Sequence, residues 1–402
     1  MDKKVEFRVR DVLLSSGEFT KEAVILTEDG KEIYESAPSG LTKGFKENEE
    51  AKESDTGNLK RLYKLESINL SQKDFDSFIS SKFGTRISTP LSLAYLKYLS
   101  YKKGFKEEEL YEFISFLYNK KSGTPRIICN ILNGGKHAGN DLDFCEFMII
   151  PNGENISENI RIASEVYLDL KSLIESKLGK KNTMVGREGG FSPDISEVEF
   201  ALHLLQSSIN IRNKDKCFIG IDISANSFSE KRGSKFIYKI RGKQYDTEAL
   251  FRYYIGLTKK FPEIIYLEDL FHEEDIGGWV KMTAYFKNKL MVVADDLTVS
   301  NRNYLRKFRK CFNTCILKVN QVGDVSRFVE SYNFCKRNGI KTIISQRSGE
   351  TDSPILSHLA TGLGSDFIKA GAPARERIVK YNELIRLSVR LNCKKYKPAK
   401  EK

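Results

Sequence analysis

The chain has 402 residues, 40% of them hydrophobic, with 28 glycines and 9 prolines; this suits one or two packed domains and excludes an extensively disordered chain. The formal net charge of +12 suits an anionic ligand, nucleic acid or a lysine-rich proteome, but the basic residues are spread along the chain, so nucleic-acid binding is not expected. No run approaches 18 apolar residues, the start MDKKVEFRVRD lacks an apolar signal core, and the 7 cysteines are scattered, which predicts a cytoplasmic protein with reduced thiols and no membrane span.

The first ~120 residues mix strand-like stretches, such as EAVILTEDGKEIYESAP, with helical ones, such as TPLSLAYLKYLSYKKG. Between them the polar run KGFKENEEAKESDTGNLKR reads as an exposed loop leading into a helix. The character changes near Thr124-Pro125, so residues 1–123 read as a small N-terminal α+β domain and residues 124–402 as a second domain. Apolar residues recur at Ile156, Ile160, Ala163, Val166, Leu170, Ile174 and Leu178, which predicts a helix from Asn155 to Gly179.

Six strand candidates follow: CFIGIDIS, EIIYLEDLF, LMVVADDLTV, CILKVNQVG, KTIISQRSG and DFIKAGAP. Each ends in a polar or charged residue: Asp222, Glu268, Asp295, Lys318, Gln346-Arg347 and Lys369. The steps between these positions are 46, 27, 23, 28 and 23 residues, and about 25 is the length of one strand, one helix and their loops. The repetition predicts a C-terminal βα barrel with its site at the C-terminal strand ends; an open doubly wound sheet gives similar alternation, but no Gly-rich phosphate loop of that fold is present.

At the barrel mouth Asp222, Glu268 and Asp295 form a hard, all-oxygen set that suits Mg²⁺. The structural alternative, helix caps or surface ion pairs, fits any one acid better than it fits three on consecutive strands. Lys318, Arg347 and Lys369 stand opposite; a lysine crowded by cations has a lowered pKa and becomes a candidate base. VGREGGFSP sets Glu188 before two glycines in a loop, and LNGGKHAGNDLDFCEF sets His137 in a Gly-rich loop and Glu146 on a strand-like run. His203, His272 and His358 read as structural.

Together these residues make the chain resemble the enolase family, the phosphopyruvate hydratases, along nearly its whole length. The motifs PSGLTKG, NGGKHAGN, GREGGFSP, LKVNQVG, QRSGETDS and IKAGAPARERIVKYNEL carry the resemblance, in the family's order. It implies a TIM barrel of the enolase type and a hydro-lyase of glycolysis and gluconeogenesis that interconverts 2-phospho-D-glycerate and phosphoenolpyruvate. A lysine base with Mg²⁺ is the known pattern of enolase-superfamily sites. By matching position, Lys318 would be the base and Glu188 the acid, with Glu146 supporting it. Asp222, Glu268 and Asp295 would hold the first of two Mg²⁺ ions, and Thr42, on a mobile loop at 38–44, would serve the second. Lys369 would meet the substrate carboxylate and Arg347 and Ser348 its phosphate, while His137 would lie on a closing loop. Asp296 would tune the field around the lysines without binding metal. Enolases are commonly homodimers, and Arg10 and Glu376 would pair across that interface.

Several positions depart from the family pattern. Gln346, which by position would contact substrate, stands where the family has an active-site histidine, and Lys43 is a new cation. Ser16 takes the place of an arginine, Cys145 precedes Glu146 in place of a glutamine, GDEGG has become GREGG, and PARSER is one residue shorter as PARER. These leave the metal triad, base and acid in place, so an active enzyme is expected. The alternative is a catalytically weakened paralogue that acts as a binding protein, displaying its terminal Lys402.

Overall fold

The computed structural model describes residues 5–40, 70–135, 138–287 and 289–395, the last three by their backbone alone. The chain begins with an antiparallel sheet in the order β1 (Glu6–Leu13), β2 (Phe19–Leu26), β3 (Glu32–Ser36). EAVILTEDGKEIYESAP forms the β2–β3 hairpin, whose turn closes through Thr27 N–H to Lys31 O and places Gly30 at φ +89, a region open mainly to glycine. The sheet packs on α1 (Gln72–Ser80) and α2 (Thr85–Lys102), burying Phe7, Ala23, Ile25, Phe75, Leu91 and Tyr95 in a core of their own. α3 (Leu110–Leu117) follows. The whole polar run 43–61 and residues 41–44 of the loop 38–44 lie outside the described residues, as do Thr42, Lys43, His137 and Lys402.

The rest builds a closed eight-stranded barrel. β4 (Arg126–Asn133) and β5 (Glu146–Pro151) open it, followed by α4 (Ile156–Leu178), α5 (Val198–Arg212) and β6 (Cys217–Asp222). α4 has the predicted bounds: the Asn155 side chain accepts the Glu158 N–H at its start, and Gly179, at φ +86, ends it. A small antiparallel sheet, β7 (Ser229–Arg232), β8 (Lys235–Ile240) and β9 (Lys243–Asp246), precedes α6 (Thr247–Lys260). This insertion accounts for the long first step of 46 residues. Then come β10 (Ile264–Glu268), α7 (Ile276–Phe286), β11 (Met291–Ala294), α8 (Arg302–Lys307), β12 (Thr314–Leu317), α9 (Val319–Val322), α10 (Val325–Arg337), β13 (Lys341–Ser345), α11 (Ile355–Leu363), β14 (Phe367–Lys369) and α12 (Ile378–Lys395).

All six predicted strands are present, and β6 and β10–β14 run parallel in sequence order around the barrel. The start departs from a pure βα repeat: β5 runs antiparallel to both β4 and β6. The reason is local. The connection from Asn133 to Glu146 turns at Gly134 and Gly135 and forms no α-helix among its described residues, whereas a parallel partner is usually reached through a helical crossover. No helix among the described residues is long and apolar enough to cross a membrane.

A polar seam joins the N-terminal helices to the segment after β12. Ser88 Oγ donates to Gly323 O at 2.8 Å, and Asp76 accepts from Ser326 N–H at 2.9 Å and Ser326 Oγ at 2.6 Å. Ser39 and Gly349 form an antiparallel bridge, which carries the root of the 38–44 loop onto the barrel mouth.

Candidate active site

Side-chain alternation brings the site together. Ile128, Met148, Tyr266, Met291, Val293, Ile316, Ile343 and Phe367 fill the barrel interior, while Ile221, Leu267, Val292, Ala294, Leu317, Ile344 and Ile368 join the outer core with the helices. With a period of two, the next inward positions are Asn130, Asp222, Glu268, Asp295, Lys318, Ser345 and Lys369. Asp295 thus completes the inward series of Met291 and Val293, which is why an apolar strand ends in an acid. The reversal of β5 serves the same end: its first residue, Glu146, pairs in register with Asp222, and Asp222 with Glu268.

One cavity is lined by Gly40, Glu146, Glu188, Asp222, Glu268, Asp269, Asp295, Asp296, Lys318, Gln346, Arg347, Ser348 and Lys369. Lys369 Nζ lies 2.8 Å from Glu268 Oε2 and 2.7 Å from Glu146 Oε2. Lys318 Nζ donates to Asp295 Oδ2, and Tyr266 OH to Glu268 Oε2. Glu188 Oε2 accepts from Asn130 Nδ2 at 3.2 Å and Gln346 Nε2 at 3.0 Å. Arg347 Nη1 donates to Asn320 Oδ1 at 3.3 Å, and a Cβ built on Gly40 would stand 1.9 Å from Arg347 Nη2, so glycine there leaves room for the guanidinium in this position.

The sequence reading missed three residues of this site. Asp269 lies between two acid groups, Asp222–Glu268 and Asp295–Asp296, with ligand atoms within 4.8 Å in each. Its carboxylate accepts the backbone N–H of Asp295 at 3.1 Å and of Asp296 at 3.0 Å. The adjacent acids of LEDLF were the available signal, the same pairing as in ADDLTV. Asn130 sits in an apolar strand, where periodicity alone points it inward. Arg377 is fully buried and donates to the carbonyls of Arg187, Arg347 and Ser348, which nothing in ARER announces.

The electrostatics are those of a cation site. Burial, then the charges of Glu268 and Glu146, lift Asp222 well above the usual carboxylate range. Burial outweighs the attraction of Lys369 and brings Glu268 and Glu146 each up to about 7. Burial and Asp295 bring Asp296 to about 7, and burial with Asp296 and Asp295 lifts Asp269 well above its ordinary value. Asp295 is lowered, because Lys318 outweighs burial; Lys318 is raised, because Asp295 outweighs burial. Glu146 and Glu268 likewise outweigh burial to raise Lys369 well above its ordinary value.

Arg10 and Glu376 both have partners within the chain: Arg10 Nε lies 2.5 Å from Glu22 Oε2, and Glu376 Oε1 2.8 Å from Arg377 Nε. Ser16 Oγ donates to Glu18 Oε2 at 3.0 Å. Cys145 is buried, with its Sγ 2.8 Å from where a Cβ on Gly135 would be.

Comparison with known proteins adds an independent line. A family model described as "Enolase, C-terminal TIM barrel domain" matches residues 122–401. Over 98% of both chains, the sequence is 35% identical to a protein named Enolase from Methanocaldococcus jannaschii. It is 36% identical to one of the same name from Sulfolobus acidocaldarius, over 95% of this chain and 96% of that one. A third, from Sulfurisphaera tokodaii, is also 36% identical, over 94% of this chain and 93% of its own.

Proposed function

The chain belongs to the enolase family, and on that premise we propose that Lys318 and Glu188 are the base and the acid of its reaction. The protein is a hydro-lyase, a phosphopyruvate hydratase that interconverts 2-phospho-D-glycerate and phosphoenolpyruvate. The observation that supports the assignment is the single cavity in which both side chains meet the acidic strand ends. In the forward direction Lys318 Nζ takes the C2 proton. The C3–O bond then breaks, and Glu188 protonates the departing hydroxyl, which leaves as water. Lys369 pairs with the substrate carboxylate, Arg347 and Ser348 with its phosphate, and Glu146 supports Glu188.

The residues fit a divalent cation. The donors are hard carboxylate oxygens with no sulfur or imidazole among them, and Asp295 Oδ1 is buried without a hydrogen-bond partner among the described residues. Asp222, Glu268 and Asp295 would hold Mg²⁺, with Asp269 fixing the backbone beneath them. When bound, the cation neutralises charge that builds on the substrate carboxylate as the C2 proton leaves. Lys318 is held protonated by Asp295; once that carboxylate is neutralised, burial and the facing Arg347 and Lys369 lower Lys318 toward a base. A second ion would use Thr42.

We place the catalytic domain at residues 124–402, the N-terminal α+β domain at 1–123 and the protein in the cytoplasm. As a homodimer, Arg10 and Glu376 would exchange their internal partners for each other. Partial reactions test the roles: Glu188→Gln abolishes dehydration but retains exchange of the C2 hydrogen with heavy water, whereas Lys318→Ala loses both. Retention of dehydration by Glu188→Gln would sink the acid assignment.

A further inference from the structure

Gln346 was expected to contact substrate. Within the chain its side chain meets Glu188 and Arg377. Its amide is held at both ends by buried groups: Arg377 Nη1 donates to Gln346 Oε1 at 2.7 Å, and Gln346 Nε2 donates to Glu188 Oε2 at 3.0 Å. Gln346 is 3% exposed, Glu188 5% and Arg377 0%, so all three are shielded from bulk water. A guanidinium has only donors, so the amide oxygen must face Arg377 and the NH₂ must face Glu188. The orientation is therefore dictated by chemistry.

The surroundings are shaped for this contact. Gly371, at φ +78, passes so close that a Cβ there would stand 2.7 Å from Gln346 Nε2 and 2.9 Å from Glu188 O. The next residue, Ala372, donates its N–H to Glu188 O at 3.0 Å. Asn130 Nδ2 reaches the same Glu188 oxygen from β4. Arg377 also grips the carbonyls of Arg187, Arg347 and Ser348, so one guanidinium ties the Glu188 loop to the segment after β13.

We propose that Gln346 is a positioning residue for Glu188: Arg377 fixes the polarity of its amide, and the amide N–H fixes one carboxylate oxygen of the acid. An amide neither takes nor gives a proton at neutral pH, so position 346 acts by orientation alone. The proposal rests on the reading of Glu188 as the acid.

Gln346→Glu is the test variant, being isosteric and keeping an oxygen for Arg377 while presenting oxygen instead of N–H to Glu188. With Mg²⁺ and 2-phosphoglycerate, kcat for dehydration should fall roughly 10- to 100-fold, the range for losing one hydrogen bond to a charged group. KM and the rate of C2 hydrogen exchange should both stay within about threefold. Gln346→His, whose ring can donate on one side and accept on the other, should recover most of the lost kcat. A rise in KM with kcat kept would overturn the proposal and make Gln346 a substrate contact. An equal fall in exchange and dehydration would also overturn it, as general distortion. Persistence of dehydration in Glu188→Gln would instead overturn the underlying acid assignment, whatever the position-346 variants do.

Discussion

Glu350→Gln should destabilise the protein more than any surface charge change. Lys380, on the first turn of α12, is 1% exposed and lies 2.8 Å from Glu350 Oε2, itself 5% exposed. The same carboxylate accepts the N–H of Arg347 at 3.1 Å and of Thr351 at 3.2 Å, so it both neutralises a buried ammonium and shapes the phosphate-side loop. The glutamine keeps at most one acceptor oxygen and leaves Lys380 charged and buried beside Thr351 O. Breaking a buried pair from one side costs about 3–5 kcal/mol. At roughly 2 °C per kcal/mol for a chain of this size, thermal unfolding should fall by about 6–10 °C. Urea unfolding and a thermal melt would measure it, with KM for 2-phosphoglycerate as a second readout, expected to rise because Arg347 loses a support. Glu350→Gln combined with Lys380→Met should recover at least half of the stability, since no charge is then stranded. A melting change under about 2 °C, or a double variant no better than the single, would refute the reasoning.

Asp269→Ala removes the acceptor for the Asp295 and Asp296 N–H groups; Mg²⁺ affinity, read by thermal shift, should weaken about 10- to 100-fold. Gly40→Ala forces the Arg347 guanidinium aside and should raise KM for 2-phosphoglycerate roughly tenfold or more, in line with a lost charged hydrogen bond, with a smaller effect on kcat in steady-state assays. Asp76, raised to about 6 chiefly by burial against the lowering hydrogen bonds of Ser326 and Ser92, binds its proton more tightly folded than unfolded. Its contribution to stability is therefore fully present below about pH 4 and is lost as pH rises to about 6, roughly 3 kcal/mol in all. Other raised carboxylates titrate in both proteins, so the difference in urea unfolding between the wild type and Asp76→Ala, followed from pH 4 to 7, should carry the Asp76 slope; a difference that does not change with pH would refute it.

Much of the barrel was legible because each of its parallel strands ends an apolar run in a polar residue at a regular step. Asp222, Glu268, Asp295, Lys318 and Lys369 were read as the polar ends of strand candidates at that step; period-two alternation explains why their side chains share the barrel mouth. Glu146 was found on a strand-like run, but not the reason it reaches the mouth: strand direction depends on which partner β5 pairs with, and local pattern carries no such information. Asp269 was passed over because a second acid beside a ligand looks solvated until its carboxylate is seen holding two backbone N–H groups. Arg377, just before the terminal helix, and Lys380, on its first turn, carry no sequence pattern that marks them as buried, and only tertiary packing buries them. Gln346 was recognised as a departure, yet its role depends on Arg377, which no spacing rule connects to it.

The most direct test of the central claim is the ultraviolet absorbance of phosphoenolpyruvate formed from 2-phosphoglycerate by the purified protein, with Mg²⁺, with chelator, and in Lys318→Ala. The account predicts product that requires Mg²⁺ and disappears with the lysine. Undiminished turnover in Lys318→Ala, or no product from the wild type at saturating Mg²⁺, would contradict it.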